Sequence, residues 1–268
     1  MEKLDGVANT LYVPLYGRIY VSKKFPEYFY DEMALKIEEK FTSGISKGSF
    51  EYTNMASVAR YYNMDKMIIK FIEEHKISNI VLLGIGLETA YDRITQKCGL
   101  GEVNYYGIDL PEVIEIRKKY FTERKQETLI AGDMFEMEWK DEIDTSISTL
   151  LIVSGVFQYF FEDKIIEFIK NLKKEFPYGE LIFDTTTKNG LKFTNWFIKK
   201  TGNPEALMHF YIEDSVNFSK KTDTILVEEL IFFKDARELL RKKLNFITKL
   251  FMKIADSKRQ TLIIHLKW

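Results

Sequence analysis

Apolar positions change their period along this chain, and the change divides it. Met33, Ile37 and Phe41 stand four apart. A second run from Thr53 to His75 places Met55, Val58, Ala59, Met67, Ile68 and Phe71 on one side. Both patterns predict helices with one core-facing stripe. Thr42 to Ser49, rich in Ser, Gly and Lys, separates them. Upstream, residues 10–30 mix Pro14, Gly17 and Pro26 with many aromatics. That composition predicts an irregular apolar arm that covers something.

Beyond residue 76 the spacing alternates. Short apolar strands are predicted at Ile80–Leu83, Val103–Asp109, Glu127–Ile130, Ser148–Ser154 and Glu180–Thr186. Helical patterns separate them at Glu88–Lys97, Pro111–Arg124 and Asp163–Phe176. Strands alternating with helices predict an α/β fold with a doubly wound, mostly parallel sheet and right-handed crossovers. The tail reads as a helix over Asn189–Thr201, a break at Gly202-Asn203-Pro204 and a short helix over Glu205–Tyr211. A strand over Thr224–Phe233, a long helix over Ala236–Ile254 and a closing strand over Thr261–Trp268 follow. The two late strands would extend the sheet with an antiparallel edge. No repeat or linker is visible, so residues 1–268 are expected to form one domain: an arm and helical cap over 1–75 and a sheet core over 76–268.

Composition narrows the partners. Net charge is −1, so no global basic field argues for nucleic acid or an anionic membrane. Lys and Arg cluster locally, as at Arg241-Lys242-Lys243, which by itself reads as a solvated face. The single cysteine, Cys98, allows no internal disulfide and suits a reducing compartment. With no apolar signal region at the start and no run long enough to span a bilayer, a cytoplasmic protein is expected. No metal is called for, and the oligomeric state is open.

Ligands of an open α/β sheet bind at the carboxyl ends of its strands. Gly84-Ile85-Gly86 follows the first strand, where bare backbone can approach a ligand. The third glycine of a dinucleotide fingerprint would stand at position 89, which is Thr89; that argues against a tightly packed pyrophosphate. Asp109 ends the second strand, placed to accept both hydroxyls of a ribose, with Leu110 and Pro111 after it; its plainer role is a helix cap. Asp133 and Met134 follow the third strand, an acid for the exocyclic amine of adenine and a thioether for its ring; an Asp after Gly is also an ordinary turn. Ser154 to Phe160, including Tyr159, follows the fourth strand. If the helical cap covers this edge, Arg60 comes within reach of a ligand carboxylate; otherwise it is a surface arginine. A glycine loop with two acids and no pyrophosphate signature describes S-adenosylmethionine better than a nicotinamide dinucleotide.

The chain resembles the leucine carboxyl methyltransferase family, and more closely its bacterial branch of tetracenomycin-type polyketide O-methyltransferases. The matching segments are Pro14–Arg18, Tyr30–Ala34, Arg60, Val81–Thr89, Tyr106–Pro111 and Ser154–Phe160. The resemblance implies a Rossmann-like class I methyltransferase sheet. It implies that Arg60 holds the methionine carboxylate of the donor, Asp109 the ribose and Asp133 the adenine end, with Tyr159 beside the donor carboxylate or the acceptor. S-adenosylhomocysteine would be the product. Glu88 stands where the family has Asp, Ala90 where Arg is frequent, and Arg117 where Lys is frequent. The last third of the chain carries no match.

A sulfonium methyl is already activated, so alignment and a dry site do most of the work. A carboxylate acceptor needs no base at neutral pH; a phenol benefits from one. Of His75, His209 and His265, only His209, in Met208-His209-Phe210-Tyr211, falls in a segment suited to a pocket, and a structural histidine is the simpler alternative. The expected function is O-methylation of a carboxylate or hydroxyl on a small apolar or aromatic acceptor. The competing readings are a protein C-terminal carboxyl methyltransferase, a non-catalytic donor-binding protein of the same fold, and a nicotinamide-dependent oxidoreductase.

Overall fold

The computed structural model describes residues 11–38, 50–99, 101–122, 124–201 and 207–268. Three helices precede the sheet: α1 (Tyr12–Lys24), α2 (Glu32–Ile37) and α3 (Glu51–Glu74). The arm expected to be irregular is therefore mostly helical. Pro14 is tolerated because it falls in the first turn, where an N–H has no intrahelical acceptor to lose. Gly17 lets α1 approach α3 closely; a Cβ there would lie 3.3 Å from Cβ of Ser57. Asp31 caps α2 by accepting from the Ala34 N–H at 2.8 Å. Phe41, predicted on the same stripe, and the break after it lie outside the described residues.

The core alternates as predicted. β1 (Ile77–Leu83), α4 (Ala90–Cys98), β2 (Glu102–Asp109), α5 (Pro111–Tyr120) and β3 (Glu127–Ala131) form one half. β4 (Ser148–Val153), α6 (Glu162–Glu175) and β5 (Gly179–Thr186) begin the other. Then come α7 (Lys188–Thr201), α8 (Ser215–Lys221), β6 (Ile225–Ile231), α9 (Lys234–Leu239), α10 (Phe246–Ser257) and β7 (Thr261–Lys267). The strand order is β3-β2-β1-β4-β5-β7-β6. The first five strands are parallel, and β7 runs antiparallel between β5 and β6.

Side chains of successive strand residues point to opposite faces, and the two cores follow that rule. Ile80, Leu82, Leu150 and Ile152 pack with α3 residues such as Val58 and Ile68 on one face. Val81, Leu83, Leu151 and Val153 pack with α6 residues Ile165, Phe168 and Ile169 on the other. Each fully buried Ile, Leu or Phe contributes about 1.5–3 kcal/mol relative to exposure, which explains why β1 and β4 end in the unbroken apolar runs Ile80–Leu83 and Leu150–Val153.

The tail departs from expectation twice. Residues 207–211 are not helical. The His209 N–H instead donates to the Gln158 carbonyl at 2.7 Å, and Met208 pairs through its backbone with the Asn195 side chain. The helix forms later, at α8, where Asp214 accepts from the Asn217 N–H. Residues 202–206, holding the predicted break, lie outside the described set. The long helix expected over Ala236–Ile254 is two helices. Asn245 starts α10 afresh by accepting from the Thr248 N–H at 2.7 Å, and its own N–H donates to Glu51 at the start of α3.

Candidate active site

β1 runs directly into Gly84, whose φ is +72°. A Cβ there would also lie 2.5 Å from a methyl of Val156, so both backbone and space demand glycine. The N–H groups of Gly84 and Ile85 donate to the Ile108 carbonyl at 2.9 and 3.0 Å, which ties the glycine turn to the end of β2. There Asp109 accepts from the Gly86 N–H at 2.7 Å with one oxygen and from the Leu110 N–H at 2.8 Å with the other. Each carboxylate oxygen has a second lone pair, so the acid is oriented without being exhausted. Burial raises the Asp109 pKa above the usual carboxylate value, against the two backbone donors. Arg117 supports the turn from below by donating to the carbonyls of Gly86 and Glu88 and to Glu127.

After β3, Asp133 accepts from the Phe135 N–H at 2.9 Å and so shapes its own turn. Met134 is buried beside it. After β4, Gly155 has φ +74°, and a Cβ on it would lie 2.6 Å from Nη1 of Arg60. The guanidinium therefore rests on bare backbone. Asp184 of β5 accepts from the Gly155 N–H at 2.6 Å, from Arg60 at 3.2 Å and from the Gln158 amide. Burial works against the Arg60 charge, but Asp184 and Tyr61 outweigh it and raise its pKa. Arg60 Nε is buried without a partner.

A second set of buried charges fastens the cap. Arg18 donates to Asp31 at 2.6 Å, to Thr89 at 2.6 Å and to the Leu87 carbonyl. Arg93 pairs with Asp65 of α3 through two nitrogens at 2.8 and 2.9 Å, and with Glu88 at 2.6 Å. Three carboxylates thus share two guanidiniums. Burial opposes ionisation of Asp31 and Glu88, yet Arg18 and Arg93 hold both below the usual carboxylate value. At Asp65 burial wins over Arg93, and the pKa is raised. Glu88 and Thr89 therefore join the glycine turn to α1, α2 and α3.

One cavity of about 390 Å³ gathers these groups, with Arg60, Gly84, Gly86, Asp109, Asp133 and Met134 on its walls. Leu110 and Tyr159 also line it. The apolar arm contributes Leu11 and Pro14 as part of the roof. His209 does not line this cavity. It is exposed, with its ring stacked 4.6 Å from that of Phe161, because its backbone is pinned to Gln158 on the outer side of the loop. Sequence reasoning missed Asp184, which positions Arg60, and the roles of Arg18 and Asp31. The available signals were an acid within the apolar run Leu181-Ile182-Phe183-Asp184 and an arginine within the apolar arm.

A seven-stranded sheet of this order, with a glycine turn and acids at its carboxyl edge, matches known methyltransferases. The family model for leucine carboxyl methyltransferase matches residues 16–173. The chain belongs to that family and is an S-adenosylmethionine-dependent methyltransferase. It is 22% identical over 203 residues to the tetracenomycin polyketide synthesis O-methyltransferase TcmP of Streptomyces glaucescens, which covers 75% of this chain and 74% of that protein. Among solved structures, a DUF574 family protein from Streptomyces avermitilis superposes with a TM-score of 0.58 at 13% identity, covering 94% of this chain and 96% of the other. An S-adenosylmethionine-dependent methyltransferase from Clostridium acetobutylicum gives 0.51 at 12% identity over 77% of this chain and 91% of its own. These likenesses establish the Rossmann-like methyltransferase fold.

Proposed function

We propose that the protein methylates an oxygen of a small, apolar or aromatic acceptor, a carboxylate or a hydroxyl, and that the whole chain acts as one unit. The observation that carries this reading is the cavity itself. Small-molecule sites are typically of about 300–1,000 Å³, largely apolar, with a few convergent polar groups. This one has Arg60, Asp109 and Asp133 as charged groups among an apolar and aromatic lining that includes Phe135, Val156, Tyr159 and Phe160. A bound donor supplies a methyl group on a positively charged sulfur, ready for in-line displacement.

The residues fit such a donor. Gly84 and Gly86 admit a ligand against the backbone. Asp109 takes the ribose hydroxyls with its remaining lone pairs, and Asp133 with Met134 takes the adenine. Arg60, which lines the cavity, takes the methionine carboxylate with its guanidinium. Tyr159 borders the acceptor space. Among the described lining residues there is no histidine, which favours an acceptor that is already ionised. The relation to TcmP, an O-methyltransferase, supports oxygen as the atom that takes the methyl group. The exposed thiol of Cys98 suits a reducing, cytoplasmic setting.

The deciding experiment incubates the protein with labelled donor and a panel of carboxylates, phenols and peptides ending in a free carboxylate, followed by mass spectrometry of the products. Methyl esters or ethers of small acceptors are expected. Label appearing only on nitrogen, carbon or sulfur would sink the oxygen assignment. Label on the peptide ends alone would move the function to protein C-terminal methylation.

A further inference from the structure

The last third of the chain, which carries no family match, places two helices at the carboxyl edge of the sheet. α7 leaves the end of β5. α9 and α10 are inserted between β6 and β7, whose edge-side residues pair as Ile231 with Leu262. Thr261 of β7 pairs with Thr186 at the end of β5, so the insertion returns beside the start of α7. The first turn of α7 and the residue just before β7 meet there. Thr186 Oγ1 donates to the Gln260 carbonyl at 2.5 Å, and a Cβ on Gly190 would lie 2.4 Å from that same oxygen.

Their outer surfaces are unlike an ordinary solvated face. On α10, Phe246 and Ile247 are 76% and 63% exposed, and Leu250, Phe251 and Ile254 continue the same side. At 3.6 residues per turn these five positions cover about 140° of the helix. The opposite side buries Thr248, Met252 and Ala255. On α7, Phe193 and Trp196 are exposed and stacked 6.2 Å apart. The charge leans the same way. Residues 241–259 hold seven basic residues, of which Lys243 pairs with Glu27 and Arg259 with Glu229, and one acid, Asp256. That acid is buried and accepts from Arg237 and from the Phe233 N–H, so it shows no charge outward. Residues 188–201 hold four lysines and no acid. The whole chain nevertheless carries a net charge of −1, so this lysine-rich segment stands out from a chain that is not basic as a whole.

We propose that the exposed side of α10 is a docking face for an anionic lipid bilayer. Exposed aromatic and aliphatic side chains flanked by lysines suit the boundary between headgroups and acyl chains. Basic residues at that depth are drawn to an anionic leaflet. Among the described residues no helix is long and apolar enough to cross a membrane, so the contact is peripheral. A second copy of the chain is a poorer occupant, because a two-fold contact would set this lysine-rich face against itself. A nucleic acid would leave the apolar side of α10 without a partner. The proposal stands on the surface alone and does not depend on the acceptor assigned above.

The test is flotation of the full chain with vesicles of phosphatidylcholine alone and of equal parts phosphatidylcholine and phosphatidylglycerol. Binding about tenfold stronger to the anionic vesicles is expected, weakening with salt. Phe246→Ser with Ile247→Ser, and separately Lys249→Glu with Lys253→Glu, should each release the protein while leaving its melting temperature and its S-adenosylhomocysteine affinity unchanged. Equal binding to neither or both vesicle types overturns the proposal. So does retention by the Phe246→Ser, Ile247→Ser variant, which would leave only a polyanion contact. A concentration-dependent dimer in sedimentation that both variants abolish, without vesicle binding, would assign the face to self-association instead.

Discussion

The two walls of the cavity are put together differently. On the β1–β3 side every group assigned to the donor stands at the end of its own strand or just after it. Gly84, Gly86, Asp109 and Asp133 are oriented by backbone N–H groups of neighbouring turns. On the β4–β5 side the central group, Arg60, comes from the cap and meets Asp184 across 124 residues of chain. The first wall is a property of local turns. The second exists only while α3 lies across the sheet edge. That crossing is held by the apolar side of α3 and by the buried cluster of Arg18, Asp31, Asp65, Glu88 and Arg93.

The sharpest way to break the assembled wall is at that cluster. Removing one partner of a buried ion pair costs about 3–5 kcal/mol, so Arg18→Ala should lower the unfolding free energy by that amount, read from the drop in the urea midpoint. A loss below about 1 kcal/mol would mean that the cap is held by apolar packing instead. Acid should act on the same cluster. Asp31 and Glu88 have folded pKa values below their unfolded ones, so their contribution is fully present above about pH 4 and disappears as the pH falls through the folded values. Asp65, with a raised value, works in the opposite sense, losing stability as the pH rises through its window. Urea midpoints between about pH 6 and pH 3 should fall steeply in the native protein and less steeply in Arg18→Ala; parallel curves would refute the assignment.

Smaller effects distinguish the two walls directly. Asp109→Ala should weaken S-adenosylhomocysteine binding at least about tenfold, since a hydrogen bond to a charged group contributes about 1.5–3 kcal/mol. The ligand-free melting temperature should scarcely move. Asp184→Asn should weaken binding too, but it should also lower the melting temperature, because it leaves the buried Arg60 charge without its counter-ion. Calorimetry together with thermal melts reads both quantities, and equal behaviour of the two variants would erase the contrast. The smallest effect belongs to His209. Its replacement by Ala should change stability by no more than about 0.5 kcal/mol and leave methyl transfer intact. A large loss of rate would return it to the site.

Much of this was legible along the chain. The change of apolar period located all seven strands and predicted the antiparallel edge, because strand burial leaves a period of two or a continuous apolar run. Asp109 and Asp133 were readable because a strand end is a fixed place in an α/β sheet. Residues 10–30 were misread because Pro and Gly weaken a helix on average. Pro14 is harmless in the first turn, and Gly17 is required by a close helix crossing. His209 was misread because an aromatic neighbourhood says nothing about which side of a loop faces a cavity.

Local order fixed the strands, the glycine turn and the two acids, since each depends on residues a few positions apart. Tertiary structure alone decided that Arg60 rests on Gly155 against Asp184 and that Glu88 and Thr89 fasten the cap. It alone left Phe246, Ile247 and Leu250 of α10 exposed while burying Met252 and Ala255 behind them. Contacts of that kind join residues far apart in the chain, and no periodicity records them. Their geometry is set by how helices cross the sheet.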